Sequence, residues 1–347
     1  MPRRTIRRAP DSGFFAPFGL TSWCTVPLYR YNPRHLREPA TTVLLALNLL
    51  IALVDGFSGE MLSRAMWSRG FDVYYGDWWR PLTAGFAHSS LIHIGMNAYS
   101  LWVLGKIVEP LYGTRQFLAI YFLALLGGSA LALAFYDPNT PSLGASGAIF
   151  GLFGAMLGYL YSRTGSWQGV MSTPWGRQLL IVLGINVYIS LMPGISLLGH
   201  LGGFVPGLIL GICFERAARR DDSFVDRLTA WLTLVAVGGL LAYAAVPWHQ
   251  PGYIATRALK AFESGDRDLG LELLNRAEAE NTARHPGVGL MIRHLSAWER
   301  GRRHAPEAFD YDTLRWPLTH IKLDWPSTIP PEGREHPFHF LRQGDDS

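Results

Sequence analysis

The chain carries a succession of apolar, charge-poor runs, and this pattern restricts its fold more than any other feature. The runs fall at about residues 40–55, 90–108, 117–135, 143–162, 179–193, 197–214 and 228–247. A helix needs about 20 residues to cross the hydrocarbon core of a bilayer, and several runs approach that length. We therefore predict an all-α polytopic membrane protein, with a six-helix bundle and a seventh, C-terminal transmembrane helix.

The polar segments divide the chain into four parts. Residues 1–39 form a basic and aromatic N-terminal segment, 40–215 the six-span core, 216–247 a charged linker with the seventh span, and 248–347 a soluble tail. No apolar stretch directly follows the basic start, so we expect no signal peptide. Residues 258–286 show helical periodicity with a Gly-Asp break, which indicates either a tetratricopeptide-type hairpin or a generic helical pair. The Pro-rich end predicts no packed element.

Arginine and lysine residues near the span ends predict the orientation of the chain. The alternate loops hold only Arg64, Arg69 and Arg80, so we expect these loops and the tail to lie on the non-cytoplasmic side. The N-terminus is then cytoplasmic, and the membrane is expected to be a bacterial cytoplasmic membrane. The remaining loops carry Arg3, Arg4, Arg7, Arg8, Arg30, Arg34, Arg37, Lys106, Arg115, Arg163, Arg177, Arg216, Arg219, Arg220 and Arg227.

The expected partners follow from the same charge pattern. The net charge of +4 is modest, and the arginines lie beside apolar spans. This arrangement indicates the headgroups of a lipid bilayer as the partner and gives no indication of nucleic acid binding. The tail is a candidate surface for a protein partner.

Two polar side chains interrupt the later apolar runs. Ser146 lies a few residues into the fourth run, and His200 lies a few residues into the sixth. Such a serine is typical of close helix packing, and such a histidine can be purely structural, although an ionisable residue within a span usually faces a partner in the bundle. Spans two, four and six begin on the same side of the membrane. At 1.5 Å per residue, Ser146 and His200 therefore lie within roughly 10 Å of the same face.

Small residues at every fourth position favour contact between these two spans. Such stripes allow helices to approach at backbone distance, where a hydroxyl and an imidazole can reach the separation of about 2.6–3.2 Å that base activation needs. The residues are Gly147, Gly151 and Ala155 in the fourth span, and Gly199, Gly203, Gly207 and Gly211 in the sixth. Gly144, three residues before Gly147, is a further candidate for helix packing.

Span two adds His93 and Asn97, which lie four residues apart on one helical face and begin at the same depth. They are candidate donors to an oxyanion. Zinc bound by His88, His93 and His200 is an alternative, but no carboxylate or thiolate joins them at a usable spacing, so we expect no metal and no cofactor. Carboxylates in the later spans lie only at the edges, as Glu109 does. This pattern favours a Ser–His dyad over a triad.

Together, the motifs GASG, GHLGGFVPG, HSSLIHIGMN, WWRP and GKIVEPLYGTR resemble the rhomboid family of intramembrane serine proteases over residues 40 to about 215. The resemblance implies Ser146 as the nucleophile and His200 as the general base and acid. It also implies that the Ser146 N–H joins His93 and Asn97 in holding the oxyanion. Transmembrane proteins are the implied substrates.

The same resemblance assigns three further positions and one departure. Trp79 and Arg80 belong to the first-loop motif, and Phe150 occupies a position where an aromatic ring stacks on the catalytic histidine. The family often has tyrosine there, whereas phenylalanine stacks without a hydroxyl. Two other function classes remain open: a catalytically inactive rhomboid-like protein that binds membrane proteins, and a transporter or channel. The latter would be expected to show intramembrane charges or repeats, and the sequence shows neither.

Overall fold

The computed structural model describes residues 38–59, 61–219, 224–247, 250–281 and 286–304. Over these ranges the chain is helical, and its only extended pairing is an isolated antiparallel bridge between Ser68 and Ser142. The basic N-terminal segment and the Pro-rich end of the tail lie outside the described residues.

The long helices follow the apolar runs of the sequence. They are α1 (Pro39–Ser58), α5 (Leu91–Tyr112), α6 (Thr114–Phe135), α7 (Ser146–Thr164), α9 (Pro174–Ile189), α10 (Leu197–Arg219) and α11 (Phe224–Ala245). The first loop, between α1 and α5, contains α2 (Met61–Met66), α3 (Gly70–Tyr75), α4 (Arg80–Thr83) and the 3-10 turn Ala84–Phe86. The short α8 (Trp167–Ser172) precedes α9, and the tail contains α12 (Pro251–Glu263), α13 (Arg267–Glu280) and α14 (Pro286–His304).

Among the described helices, five are long and apolar enough to cross a membrane, namely α1, α5, α6, α10 and α11. The predicted all-α multi-pass membrane fold is confirmed. Two of the predicted spans, α7 and α9, are not among these five helices. Helix α9 has 16 residues, about 24 Å at 1.5 Å per residue, which is short for a core of about 30 Å. Helix α7 contains four glycines, and thirteen consecutive residues, 148–160, are buried. Its neighbours are protein, so it needs less hydropathy than a lipid-facing helix.

The bundle core forms around α7, which packs against α10 and α6, while α1 packs against α5. The buried carboxylate of Glu109 joins the last pair: it accepts hydrogen bonds from the N–H groups of Ala40 at 3.1 Å and Thr41 at 2.8 Å, and from the hydroxyl of Thr114 at 2.8 Å. The first N–H groups of a helix have no intrahelical acceptor and favour negative charge. Glu109 therefore caps the start of α1.

The tail helices pack on the first loop. Phe71 and Tyr74 of α3 belong to the same buried cluster as Phe262 of α12 and Trp298 of α14. The sequence pattern predicts α12 and α13 but not α14, which contributes to this cluster. The tail helices therefore lie at the end of the bundle where the first loop lies.

Candidate active site

The segment that leads into Ser146 is fixed by the first loop. Gly144 has φ +107°, a conformation that a side chain disfavours, and a Cβ there would lie 2.6 Å from Nε2 of His93. Its N–H donates to the carbonyl of Ala84 at 2.8 Å, and the Ser68–Ser142 bridge lies just before it. Helix α7 then begins at Ser146 itself. The hydroxyl is therefore presented at a helix start that the first loop anchors.

His200 meets this hydroxyl from α10. The imidazole Nε2 lies 2.8 Å from Oγ of Ser146, which is the separation expected for a nucleophile and its base. The ring of Phe150, one turn further along α7, stacks on the imidazole with a centroid distance of 4.1 Å and an interplanar angle of 8°. His200 is 7% exposed, whereas Ser146 is partly exposed. The base is thus enclosed while the hydroxyl stays accessible.

Backbone contact between α7 and α10 makes this distance reachable. A Cβ added at Gly203 would collide with the carbonyl of Gly147, and one added at Gly207 would collide with the carbonyl of Gly151. Near the site, a Cβ at Gly147 would lie 3.3 Å from the carbonyl oxygen of Gly199. Small residues permit such an approach because no side chain separates the two helices.

Helix α6 holds α10 from a second side, which the sequence pattern does not predict. A Cβ at Gly127 would lie 2.5 Å from the carbonyl oxygen of Gly202, and one at Gly128 would lie 2.5 Å from that of Gly199. The paired glycines inside an apolar run are the signal that could have indicated this contact. Helix α10 is therefore positioned by glycine contacts on two neighbours.

His93 and Asn97 lie on α5 beside Gly144. The imidazole Nδ1 of His93 is 3.2 Å from Oγ and 3.5 Å from the backbone nitrogen of Ser89. A backbone N–H can only donate, so this contact favours Nδ1 as the acceptor and the ring hydrogen on Nε2, the nitrogen nearer to Gly144. The amide of Asn97 donates to the carbonyl of His93 at 2.9 Å, which leaves its second N–H for another acceptor. Both side chains can therefore supply donors beside Gly144, two residues before Ser146.

His88 supports this face as a neutral ring. Its centroid lies 4.9 Å from that of His93, edge to face, and its Nδ1 lies 3.2 Å from the carbonyl of Phe86. Burial, with a smaller effect of His93, lowers the pKa of His88 to about 4. His88 is therefore uncharged at pH 7. In the part of the chain that the structure describes, no group of three or more His, Cys, Asp or Glu residues has the arrangement of a metal site.

Trp79 and Arg80 make their contacts in the first loop. The guanidinium of Arg80 pairs with Asp77 at 2.7 Å and lies 3.6 Å from the carboxylate of Asp72. It also donates to the carbonyl of Trp67 at 3.1 Å. Trp79 remains 55% exposed. Arg80 thus joins separate turns of the loop that anchors the start of α7.

Ser190, just after α9, is a contact of the site that the sequence pattern does not reveal. Its hydroxyl lies 2.6 Å from Nδ1 of His200, and the residue is 2% exposed. In the sequence, a single serine at the end of a helix that contains other polar residues does not indicate a functional site. The imidazole of His200 therefore has a hydrogen-bond partner on each ring nitrogen.

Comparison with known proteins matches part of the chain to a family. Residues 75–217 match the model of the Rhomboid domain. The chain is 32% identical over 213 residues to rhomboid protease GluP of Bacillus subtilis. The matched stretch covers 61% of this chain and 41% of that protein. It is 33% identical over 143 residues to rhomboid-type serine protease 2 of Emericella nidulans, covering 40% and 27%. It is 34% identical over 127 residues to inactive RHOMBOID-like protein 8 of Arabidopsis thaliana, covering 37% and 35%.

The chain spans less than half the length of each of these relatives. The matched residues nevertheless include the first-loop arginine, the helices from α5 to α9 and nearly all of α10. Ser146, His200, His93 and Asn97 all lie within them. On this evidence, the chain is a multi-pass membrane protein that contains a rhomboid domain over residues 75–217.

Proposed function

We propose that this protein is an intramembrane serine endopeptidase that hydrolyses peptide bonds in or near transmembrane segments through a Ser–His dyad. The observation that carries the proposal is the 2.8 Å contact between Oγ of Ser146 and Nε2 of His200 within a rhomboid domain. The names of two relatives, a rhomboid protease and a rhomboid-type serine protease, support the same reaction class.

The reaction begins with proton transfer from Ser146 to Nε2 of His200 as the hydroxyl oxygen attacks the substrate carbonyl carbon. The negative charge that forms on the carbonyl oxygen needs donors in place. The first N–H groups of α7 have no intrahelical acceptor, and we propose His93 and Asn97, which lie beside Gly144, as the side-chain donors. His200 then protonates the leaving amine, and water hydrolyses the acyl-enzyme to restore both side chains.

The substrates are proposed to be transmembrane proteins whose helix unwinds at the cut. A membrane-embedded helix satisfies its own backbone hydrogen bonds, so a scissile carbonyl becomes accessible only where Gly or Pro weakens the helix. The site is proposed to open to the non-cytoplasmic side of a bacterial cytoplasmic membrane. The arginine distribution supports this orientation.

Cleavage of a single-span reporter in liposomes tests the proposal. Wild type is expected to cut, while Ser146→Ala and His200→Ala should each lose activity by about 10³-fold or more, since the two groups act as a unit. Ser172→Ala, at an exposed serine hydroxyl on α8, is the matched control and should cut normally. Wild type, but neither dyad variant, should also be labelled by a fluorophosphonate.

The competing function is that of an inactive rhomboid-like protein that binds membrane proteins, and the relative named inactive keeps this class in view. A folded wild type that neither labels nor cuts would support it. Equal cutting by wild type and both dyad variants would instead assign the activity to a contaminant.

A further inference from the structure

We propose that Ser190 is a positioning residue that fixes His200 in the tautomer able to accept the Ser146 proton. This inference rests on the proposed function and adds a third member to the arrangement. The sequence provides no carboxylate for that place, and the structure places a buried hydroxyl there.

Two short contacts define the role of the hydroxyl. Oγ of Ser190 lies 2.6 Å from the carbonyl oxygen of Asn186 and 2.6 Å from Nδ1 of His200. Ser190 follows the last residue of α9 and is 2% exposed. Because the residue is buried, water has little access to replace either contact.

The number of hydrogens decides the direction of each bond. A carbonyl oxygen only accepts, and a serine hydroxyl has one hydrogen. The Ser190 hydrogen is therefore donated to Asn186, and its oxygen must accept the Nδ1–H of His200. With the ring hydrogen on Nδ1, the lone pair of Nε2 faces Ser146 and accepts its hydroxyl hydrogen.

The same bond holds the ring in place. Phe150 restrains the imidazole from one face by stacking, but stacking alone lets the imidazole shift parallel to the phenyl ring. Hydrogen bonds at both ring nitrogens prevent that shift. Only seven residues, 190–196, separate the end of α9 from the start of α10, so Ser190 also ties the position of α9 to the dyad.

A neutral hydroxyl oxygen takes the place that a carboxylate has in a serine triad. It accepts the Nδ1–H before the reaction, and continues to accept it when proton transfer makes the ring an imidazolium. General-base catalysis contributes about 10²–10⁴-fold. Loss of its alignment should therefore remove about 10- to 100-fold of the rate without removing the base itself.

The test compares Ser190→Ala with Ser190→Thr, which retains the hydroxyl. The alanine variant should lower kcat for the liposome reporter and the fluorophosphonate labelling rate by about 10- to 100-fold, with KM within about threefold of wild type. The threonine variant should recover most of both rates. The matched control is Thr233→Val, which removes a buried hydroxyl that also donates to the carbonyl four residues earlier, on α11. It should leave both rates unchanged.

Labelling of wild type separates the two proposals. If wild type labels and Ser190→Ala labels at the same rate, the role of Ser190 is wrong while the protease function stands. If a threonine variant with the wild-type melting temperature reacts as slowly as alanine, the hydroxyl is not the relevant group. A folded wild type that never labels overturns both proposals. Should the alanine variant fail to fold, Ser190→Cys keeps the volume with a weaker acceptor, and a wild-type rate there would overturn the role.

Discussion

The α7–α10 interface and the tail cluster show two opposite ways of packing helices in one chain. In the bundle, the Gly203 and Gly207 positions meet the carbonyls of Gly147 and Gly151 with no side chain between them. In the tail, the space between helices is filled by large side chains, including the fully buried Trp298 and Phe262. One interface is made of backbone and the other of side chains.

The two interfaces differ because the helices in each region are stabilised by different forces. Lipid offers no hydrophobic driving force between helices, so close packing of small residues supplies the contact. Backbone contact has no rotamers, so it fixes the separation of the two helices that carry Ser146 and His200. The tail gains stability by burying apolar area. Such a core tolerates substitution of similar volume better than a glycine contact tolerates any side chain.

The largest effect on labelling is expected from adding a side chain at the backbone interface. Gly207→Val places methyl groups where Gly151 already lies, so α10 must move away from α7 and carry His200 with it. Inserting methylenes into packed cores costs about 1–3 kcal/mol, and a backbone obstacle leaves little room for relief. We expect a lower melting temperature in detergent and loss of fluorophosphonate labelling.

Gly239→Val is the matched control, because a Cβ at Gly239 on α11 meets no atom within 4 Å. It should melt and label as wild type does. If Gly207→Val labels normally, the distance between nucleophile and base does not depend on backbone contact, and the contrast between the two interfaces fails.

Much of the fold was accessible from local patterns in the sequence. The apolar runs predict the long helices, and the four-residue glycine spacing predicts which faces of α7 and α10 meet. Both are periodic signals that one helix carries by itself. The contact between Ser146 and His200 follows from depth and spacing, since helices of the same direction begin at one face.

Other parts of the site depend on contacts that no local pattern records. Ser190 becomes relevant only through the distance of its hydroxyl from His200, which depends on how α9 ends and the chain turns. The docking of the tail on α3 joins residues far apart in the sequence, as in the hydrogen bond between Tyr75 and Glu263, which are 188 positions apart. Long-range side-chain contacts of this kind are set by tertiary packing. No periodic pattern of serine or tyrosine residues in the sequence predicts them.

Trp298→Ala is expected to affect labelling less than Gly207→Val does, because its loss of stability is confined to the tail. The indole is fully buried, with a centroid distance of 5.8 Å to the ring of Phe262, and its removal should destabilise the tail by about 3–5 kcal/mol. Hydrogen exchange should rise through α12–α14 while α7 and α10 keep their protection. An equal rise in α7 and α10 would mean that both interfaces unfold as one unit.

The smallest effect concerns the joint between the two regions. The hydroxyl of Tyr75, on α3, donates to the carboxylate of Glu263 on α12 at 2.6 Å, and the ammonium of Lys260 lies 5.0 Å from the tyrosine ring centroid. Tyr75→Phe removes the hydrogen bond but keeps the ring contact. A bond to a charged acceptor contributes about 1.5–3 kcal/mol, and partial exposure should reduce this to about 1 kcal/mol.

A double-mutant cycle with Glu263→Gln should measure this coupling, with Tyr99→Phe, an exposed tyrosine on α5, as the control for loss of a hydroxyl. The expected change is faster exchange at α3 and the start of α12. The first loop also contacts the start of α7, because the N–H of Gly144 donates a hydrogen bond to the carbonyl of Ala84. If exchange near Ser146 also rises, the loop transmits changes in the tail to the site; if it stays at the wild-type rate, the backbone interface holds the dyad independently of the side-chain interface beside it.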